Sequence, residues 1–306
     1  MSFAILTANE NENMGVHHFL KLGNPTDTTR YRHAKGNAWS DDSFLNQINA
    51  KIEPNEGESE NPYRVFDLVV GEKRQRGVHV ACDTMGPWGA FDTTVKLLKK
   101  AKDKGWTLGC IFVIGCCGAS VIDREKCPRG TVLLARQVKD YLNTGKVVGG
   151  KVDGAALNIP MDTMCPRGLH EFKNVVEADR RNSYRVEVQI VNFLTGPLVI
   201  KDDLFGKAYC EASAKVTGVE MEVVGVIKAV KAFHLISGDP EQKVVLAKGV
   251  SDYTGKKGEP GCCKLFGVET PPVDDDQLQM YATLQSLALV IRFVANNIPL
   301  VLDEST

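Results

Sequence analysis

The sequence carries no excess of charge of either sign, because 37 Lys and Arg residues face 38 Asp and Glu residues. Such a balance gives no reason to expect nucleic acid or an anionic membrane as a partner. Long apolar runs are also missing: the segment "LALVIRFVA" is short and contains Arg292, so we predict no membrane-spanning helix. The start, "MSFAILTANENE", lacks the basic leader of a signal peptide. We therefore expect a cytoplasmic protein.

Cofactor and metal motifs are missing as well. No GxGxxG pattern occurs, so a dinucleotide fingerprint is absent. The nine cysteines show no CxxC spacing, and two pairs, Cys116–Cys117 and Cys262–Cys263, are directly adjacent. This pattern is typical of free thiols in a reducing compartment. We predict that the protein uses no metal and no cofactor.

Strand-like and helix-like segments alternate along the chain. "FAILTA", "TLGCIFVIGCCGAS" and "KVVLAKGVSD" are predicted strands, and "YRVFDLVVGEKRQRGVHVACDT" is a predicted hairpin. "GPWGAFDTTVKLLKKAKDKGW" and the segment that begins "DDDQLQM" are predicted helices. The polar residues 21–62 are predicted to form a long excursion over the surface. Interleaved elements of this kind favour an α/β sandwich with a largely buried mixed sheet, in a single domain over residues 1–306.

Four predicted strands end in unusual residues, at "ILTANENE", "VIGCCGAS", "GVEME" and "GVSD". Ligand sites of α/β sheets lie at the carboxyl ends of the strands. Gly115 and Gly118 are small enough to let a backbone approach a ligand closely. The alternative is ordinary packing in a tight turn.

Carboxylates follow three of these strands. Glu220 and Glu222 flank Met221 in an apolar setting, where a carboxylate can accept hydrogen bonds from two neighbouring sugar hydroxyls. A structural ion pair is the alternative, and it is favoured for Glu220. Asp252, at a partly buried strand end, is a candidate general acid, with a turn cap as the alternative. Glu12 is a candidate general base, with a solvated polar turn as the alternative.

Together these segments resemble the nucleoside phosphorylase and nucleosidase superfamily, which includes purine nucleoside phosphorylase, uridine phosphorylase and methylthioadenosine/adenosylhomocysteine nucleosidase. "VEMEV" resembles the family's Met-Glu pair, and "KGVSD", about thirty residues later, its Ser-Asp strand end. "DTMGPWGAF" is similar to its Met-Gly turn, and "RGTVLLARQVKDY" to the strand after its glycine turn. The resemblance spans residues 3 to about 298 and implies a three-layer α/β/α sandwich around a mixed, partly barrel-like sheet. It also implies insertions near 21–62 and 150–190.

The resemblance implies a role for each matching residue. Glu222 would bind the ribose 2′ and 3′ hydroxyls with Met221 against the sugar, Asp252 would protonate the purine, and Glu12 would activate water. The ligand would be a small nucleoside or nucleotide, and the protein would form a homo-oligomer, either a dimer or a hexamer. The remaining residues expected to contact the substrate are Cys116, Cys117, Gly118, Ser251, Lys248, Met85 and Gly86.

Departures from the family pattern bear on the reaction. Phosphorylases of this family hold phosphate with an Arg and a Ser, where this chain has Val113 and Cys116. The sequence therefore favours hydrolysis over phosphorolysis. Phosphorolysis, a non-catalytic nucleoside-binding protein on the same fold, and an unrelated oxidoreductase remain as alternatives.

The basic residues suggest a nucleotide substrate. Lys248 stands where small nucleosidases tend to have Arg, and this Lys-Gly form resembles defence-effector members, some of which cleave adenine from nucleotides. Candidate phosphate-binding residues are Lys256 and Lys257, with Arg30 and Arg32 in the first insertion. Solvated surface charge is the alternative for each of them. We predict a preference for AMP- or ATP-type substrates.

Overall fold

The computed structural model describes residues 3–22, 41–120, 123–140, 146–148, 151–153, 157–160, 186–197, 216–254 and 259–296. Five helices occur in these ranges: α1 (Glu10–Leu20), α2 (Asp41–Gln47), α3 (Pro87–Asp103), α4 (Val223–Ser237) and α5 (Asp275–Asn296). The strands of the first half are β1 (Phe3–Thr7), β2 (Ala50–Pro54), β3 (Arg64–Val70), β4 (Lys73–Ala81), β5 (Cys110–Ala119) and β6 (Val132–Asp140). The later strands are β7 (Lys146–Val148), β8 (Lys151–Asp153), β9 (Leu157–Pro160), β10 (Val188–Thr195), β11 (Val216–Glu220), β12 (Lys243–Tyr253), β13 (Lys264–Leu265) and β14 (Val268–Glu269).

A mixed sheet of 10 strands forms the centre of the fold. Strands β5, β12, β6, β10 and β11 follow one another, and β11 also pairs with β5, so these strands close into a barrel. Strands β1, β4, β3 and β2 extend the sheet from the free side of β5. Strand β1 lies parallel to both β4 and β5, and β12 lies parallel to β5. The carboxyl ends of β1, β5 and β12 therefore meet at one edge of the sheet.

Helices cover the sheet in two layers, as predicted. Helix α1 packs with α5 over β5 and β12, and α3 packs with α4 in the other layer. An edge-to-face series of rings, Phe3 to Phe112 and Phe112 to Phe293, ties the sheet to α5. Helix α5 is long and apolar enough to cross a membrane, but 94% of its apolar window is buried inside the fold. Its composition is therefore that of a core helix.

The structure corrects two local predictions. Glu12, for which a solvated polar turn was the alternative, lies buried in α1. Residues 41–54, assigned to a surface excursion, form α2 and the edge strand β2, and Phe44 and Leu45 are buried in the core. The division into one domain with two insertions stays a prediction.

Close packing of α5 against β12 generates a stability prediction. A Cβ atom on Gly249 would lie 2.1 Å from the backbone oxygen of Ala282. We expect Gly249→Ala to lower the free energy of unfolding by about 1–3 kcal/mol or more, because the helix must move away from the strand. Urea unfolding measures this change.

The matched control is Gly57→Ala, since a Cβ atom at Gly57 meets nothing nearer than the Asn55 side chain at 3.8 Å. The control should unfold close to the wild-type midpoint. Equal midpoints for the two variants would contradict the close approach of α5 to β12.

Candidate active site

The four predicted strand ends converge in the structure. Glu12 lies in the first turn of α1, directly after β1. Lys248 and Asp252 lie on β12, opposite Gly115 and Gly118 of β5. Glu222 immediately precedes α4. All four of these side chains are buried, with relative exposures between 1% and 7%.

Backbone amides hold the Glu12 carboxylate. Asn9 and Glu12 form a capping box, in which the Glu12 N–H donates to the Asn9 side chain at 2.9 Å. Glu12 Oε2 accepts from the N–H of Ala8 at 2.6 Å and, at 3.4 Å, from that of Asn9. Oε1 accepts from the N–H of Cys116 at 2.8 Å. The carboxylate therefore bridges the start of α1 and the end of β5.

Gly115 makes this bridge possible. Its φ of +136° is rare for residues with a side chain, and a Cβ atom there would lie 2.0 Å from Glu12 Oε1. The Ser286 hydroxyl of α5 accepts from the Gly115 N–H at 3.3 Å and lies 3.4 Å from the Gly115 oxygen. Helix α5 therefore helps to fix the backbone at Gly115. Gly115, within β5, therefore accommodates a carboxylate of the protein itself.

Lys248 joins two carboxylates. Its ammonium nitrogen lies 3.2 Å from Glu12 Oε1 and 3.1 Å from Glu222 Oε2, and its side chain is 1% exposed. Burial by itself lowers the pKa of this amine, but the charges of Glu12, Glu222 and Glu220 outweigh burial and raise the pKa well above its ordinary value. Lys248 is therefore a buried cation shared between two acids.

Glu222 lies where two helices begin. Its Oε1 accepts from the N–H of Gly86, the residue before α3, at 3.3 Å, and its backbone oxygen accepts the first bonds of α4. Helix amino termini carry partial positive charge, which stabilises a carboxylate. A Cβ atom on Gly225 would lie 2.0 Å from the oxygen of Pro87, so the two helix starts are in close contact.

Asp252 reaches its place through an irregularity of β12. Val250 pairs with Cys117 and Asp252 with Gly118, so Ser251 is the extra residue of a β-bulge. The buried Ser251 hydroxyl donates to Asp252 Oδ2 at 3.0 Å. A Cβ atom on Gly118 would lie 3.0 Å from Asp252 Oδ1. A small residue opposite Asp252 thus leaves room for its carboxyl group.

Known structures share this arrangement of elements. The 5′-methylthioadenosine/S-adenosylhomocysteine nucleosidase of Neisseria meningitidis superposes with a TM-score of 0.56 over 97% of this chain and 100% of that chain, at 12% identity. The S-adenosylhomocysteine nucleosidase of Streptococcus pyogenes gives 0.56 over 97% of each chain, at 14% identity. The futalosine hydrolase of Helicobacter pylori gives 0.56 over 96% of this chain and 97% of that chain, at 13% identity.

The chain has the nucleoside phosphorylase and nucleosidase fold. This confirms the predicted fold class, including the partly closed sheet. No protein-family model matches the sequence, and no curated protein matches it. Identities of 12–14% establish the fold alone.

Two residues predicted to contact the substrate have partners within the protein, and their contact with a substrate stays a prediction. Lys248 was expected to contact substrate and supply charge for phosphate, but two carboxylates already neutralise its charge. Ser251 was expected to contact substrate, but its hydroxyl is buried and directed to Asp252. Cys117 is also buried: burial, and then the charge of Cys116, raises the pKa of its thiol well above the ordinary value, so the thiol stays neutral near pH 7.

The remaining predicted residues divide into two groups. Met85 is 55% exposed next to Gly86, Met221 is half-buried next to Glu222, and Cys116 is half-buried with its N–H on Glu12. The four candidate phosphate-binding residues lie outside the described ranges, and they are Arg30, Arg32, Lys256 and Lys257.

The shared cation generates a second prediction. We expect Lys248→Met to lower the free energy of unfolding at pH 7 by about 3–5 kcal/mol, because it leaves two buried carboxylates without their cation. The raised pKa of Lys248 means that its stabilisation is fully present below about pH 10.4, its ordinary value, and is lost as the pH rises through the folded-state value. Denaturant unfolding at pH 7 therefore measures the whole effect.

Lys264→Met is the matched control. Lys264 pairs with Glu187 at 3.0 Å, but both side chains are about half exposed. An exposed pair is worth about 0–1 kcal/mol, so the control should stay near wild type. If both variants lose the same stability, Lys248 does not hold buried charges together.

Proposed function

We propose that the protein hydrolyses the N-glycosidic bond of a purine nucleoside or nucleotide and releases the free base. The observation that carries this proposal is the set of buried carboxylates, Glu12 and Glu222 around Lys248 with Asp252 beside β5, at the strand ends of a nucleosidase fold. Buried carboxylates are costly unless a ligand or a partner requires them. The neighbouring structures support the choice of reaction, because they are named as nucleosidases and a futalosine hydrolase.

Glu222 would have hydrogen-bond acceptor positions left for the sugar. A carboxylate offers about four acceptor positions, and Gly86 and Lys248 each occupy one of them. The remaining positions suit the two ribose hydroxyls. The negative charge of Glu222 would also stabilise the positive charge that develops on the ribose as the glycosidic bond breaks.

Asp252 and Glu12 would carry the proton transfers. Asp252, oriented by Ser251, donates a proton to the leaving purine. Glu12 accepts from three backbone amides and from Lys248. The amides are fixed by the fold, whereas Lys248 ends a flexible side chain. A water molecule that Glu12 activates would therefore take the position of Lys248 on Oε1, while Lys248 stays on Glu222.

Water is favoured over phosphate as the nucleophile. A phosphate dianion entering between Glu12 and Glu222 would meet two negative charges and a cation that both carboxylates already engage. Val113, at the place of the phosphorylase Arg, is buried in the core. Phosphorolysis remains the competing reaction, and it has a distinct product.

Product analysis tests the reaction. Adenosine, inosine, methylthioadenosine, AMP and ATP are incubated with the protein, with and without phosphate, and separated by chromatography. We expect free base and a sugar without a new phosphate at C1, at the same rate with and without phosphate. Strict dependence on phosphate with formation of ribose 1-phosphate would establish phosphorolysis. Binding of a substrate without turnover would favour the non-catalytic alternative.

The activity of an Asp252→Asn variant tests whether cleavage takes place at this site. Loss of a positioned general acid lowers the rate by about 10²–10⁴-fold. The amide keeps the size of the side chain, so the variant should unfold near the wild-type midpoint. Full activity in the folded variant would remove Asp252 from the mechanism.

We further propose that a 5′-phosphorylated purine is preferred over the bare nucleoside. Support comes from the sequence, where Lys256 and Lys257 follow Asp252 closely and Arg30 and Arg32 add two guanidinium groups. Charge-assisted hydrogen bonds to phosphate are about twice as strong as neutral ones. The competing view is an apolar 5′ group, which the exposed side chain of Met85 beside Gly86 would suit.

Comparing kcat/KM among adenosine, methylthioadenosine, AMP and ATP decides between these views. If Lys256 and Lys257 bind phosphate, Lys256→Ala/Lys257→Ala should lower kcat/KM for AMP and ATP by about tenfold or more and leave adenosine unchanged. Lys99→Ala/Lys104→Ala is the control, because it removes the same charge from exposed positions at the far end of α3. Preference for methylthioadenosine, with an unchanged Lys256/Lys257 variant, would rule out the nucleotide.

A further inference from the structure

Glu222 stands at the start of α4 without capping it. It occupies the N-cap position, yet its side chain makes no capping hydrogen bond. Both of its oxygens point elsewhere, to the N–H of Gly86 and to the ammonium group of Lys248. The first N–H groups of a helix have no acceptor within the helix, so another residue must serve them.

Glu220 provides that acceptor from two residues upstream. Its Oε2 accepts from the N–H of Glu222 at 2.8 Å and from the N–H of Val223 at 3.0 Å. Its Oε1 lies 3.3 Å from the same Val223 nitrogen. The two acids of "VEME" are thus divided between two tasks: one carboxylate holds the backbone, and the other faces the site.

Glu220 does not have the surroundings of a ligand-binding residue. Its side chain is 4% exposed, and backbone amides engage both oxygens. Burial, and then the charge of Glu222, raises the pKa of Glu220 to about 7. The carboxyl group is buried and its oxygens are engaged by backbone amides, so we expect it to act on a substrate only through Glu222.

We propose that Glu220 is a positioning residue: it caps α4 in place of Glu222 and thereby keeps the Glu222 carboxylate directed at the substrate. On the proposed function, which this inference deepens, the consequence is discrimination between ribosides and 2′-deoxyribosides. Without Glu220, the N–H groups of residues 222 and 223 lose their acceptor. The Glu222 carboxylate then competes for them, and its hold on the sugar hydroxyls weakens.

The test compares the best purine riboside from the product analysis with its 2′-deoxy analogue. We expect Glu220→Ala to lower kcat/KM for the riboside by about tenfold and to lower it less for the deoxyriboside, which offers only its 3′ hydroxyl to Glu222. The ratio of the two kcat/KM values should therefore fall toward one. Glu220→Gln should restore most of the ratio, because its amide oxygen can still accept from both N–H groups.

Gly238→Ala is the matched control for loss of helix stability. Gly238 ends α4 with a φ of +70°, so an alanine there strains the same helix at the opposite end from Glu222. The control should lower Tm without changing the ratio of kcat/KM for the riboside to kcat/KM for the deoxyriboside. If Glu220→Ala does not fold, Glu220→Asp is used instead, because the shorter carboxylate cannot reach both amides and the same loss of ratio is expected.

The outcomes separate this inference from the proposed function. Cleavage of both substrates with an unchanged ratio in Glu220→Ala overturns the role of Glu220 and leaves hydrolysis intact. An equal loss of ratio in Gly238→Ala also overturns it, since the effect would then be one of stability. If no riboside is cleaved, calorimetric binding of the same two compounds gives the same comparison. Absence of binding to either compound overturns both proposals.

Discussion

The buried ammonium group of Lys248 is the contact on which the site depends. It lies within 3.2 Å of a carboxylate from α1 and within 3.1 Å of a carboxylate that precedes α4, while Lys248 itself belongs to the barrel strand β12. Three elements that are distant in the sequence are therefore joined by one cation. Removing two carboxylates from water costs several kcal/mol each, and the ion pairs offset this cost only with good geometry and further hydrogen bonds. Backbone amides before α1 and α3 and within β5 supply those bonds.

Backbone geometry explains how such a group of charges can be assembled. Gly115 leaves space for Glu12, and Gly118 leaves space for Asp252. The bulge at Ser251 places Asp252 opposite Gly118, one position earlier than regular pairing would. At each of these points a side chain in the wrong place would displace a carboxylate. The small residues of "VIGCCGAS" therefore serve the protein's own acids, although they were first interpreted as space for a ligand.

Local sequence patterns were enough to select the buried carboxylates, but they did not show helix α1 or the partners of Lys248. Both omissions have physical causes. Glu12, Glu222 and Asp252 were selected because a carboxylate after an apolar strand is unusual; the structure buries them close together, and their roles stay a prediction. The helix α1 was missed although Asn9 and Glu12 stand three residues apart, as in a capping box, which was the available signal. Lys248 was assigned to phosphate because sequence spacing does not show which partner a long side chain reaches. The two partners of Lys248 lie 26 and 236 residues away, so no local pattern contains them.

The sequence by itself determined the alternation of strands and helices, the buried β5 and β12, and the carboxylates at the strand ends. These features follow from hydrophobic periodicity and from the cost of burying charge, and both are properties of short segments. The tertiary structure alone decided the closure of β11 onto β5, the bulge at Ser251, and the direction of the Glu222 carboxylate toward Gly86 and Lys248. These depend on register and on distances between segments far apart in the chain. The fold decides which hydrogen-bond donors reach each carboxylate: Gly86 and Lys248 reach Glu222, whereas backbone amides reach Glu220.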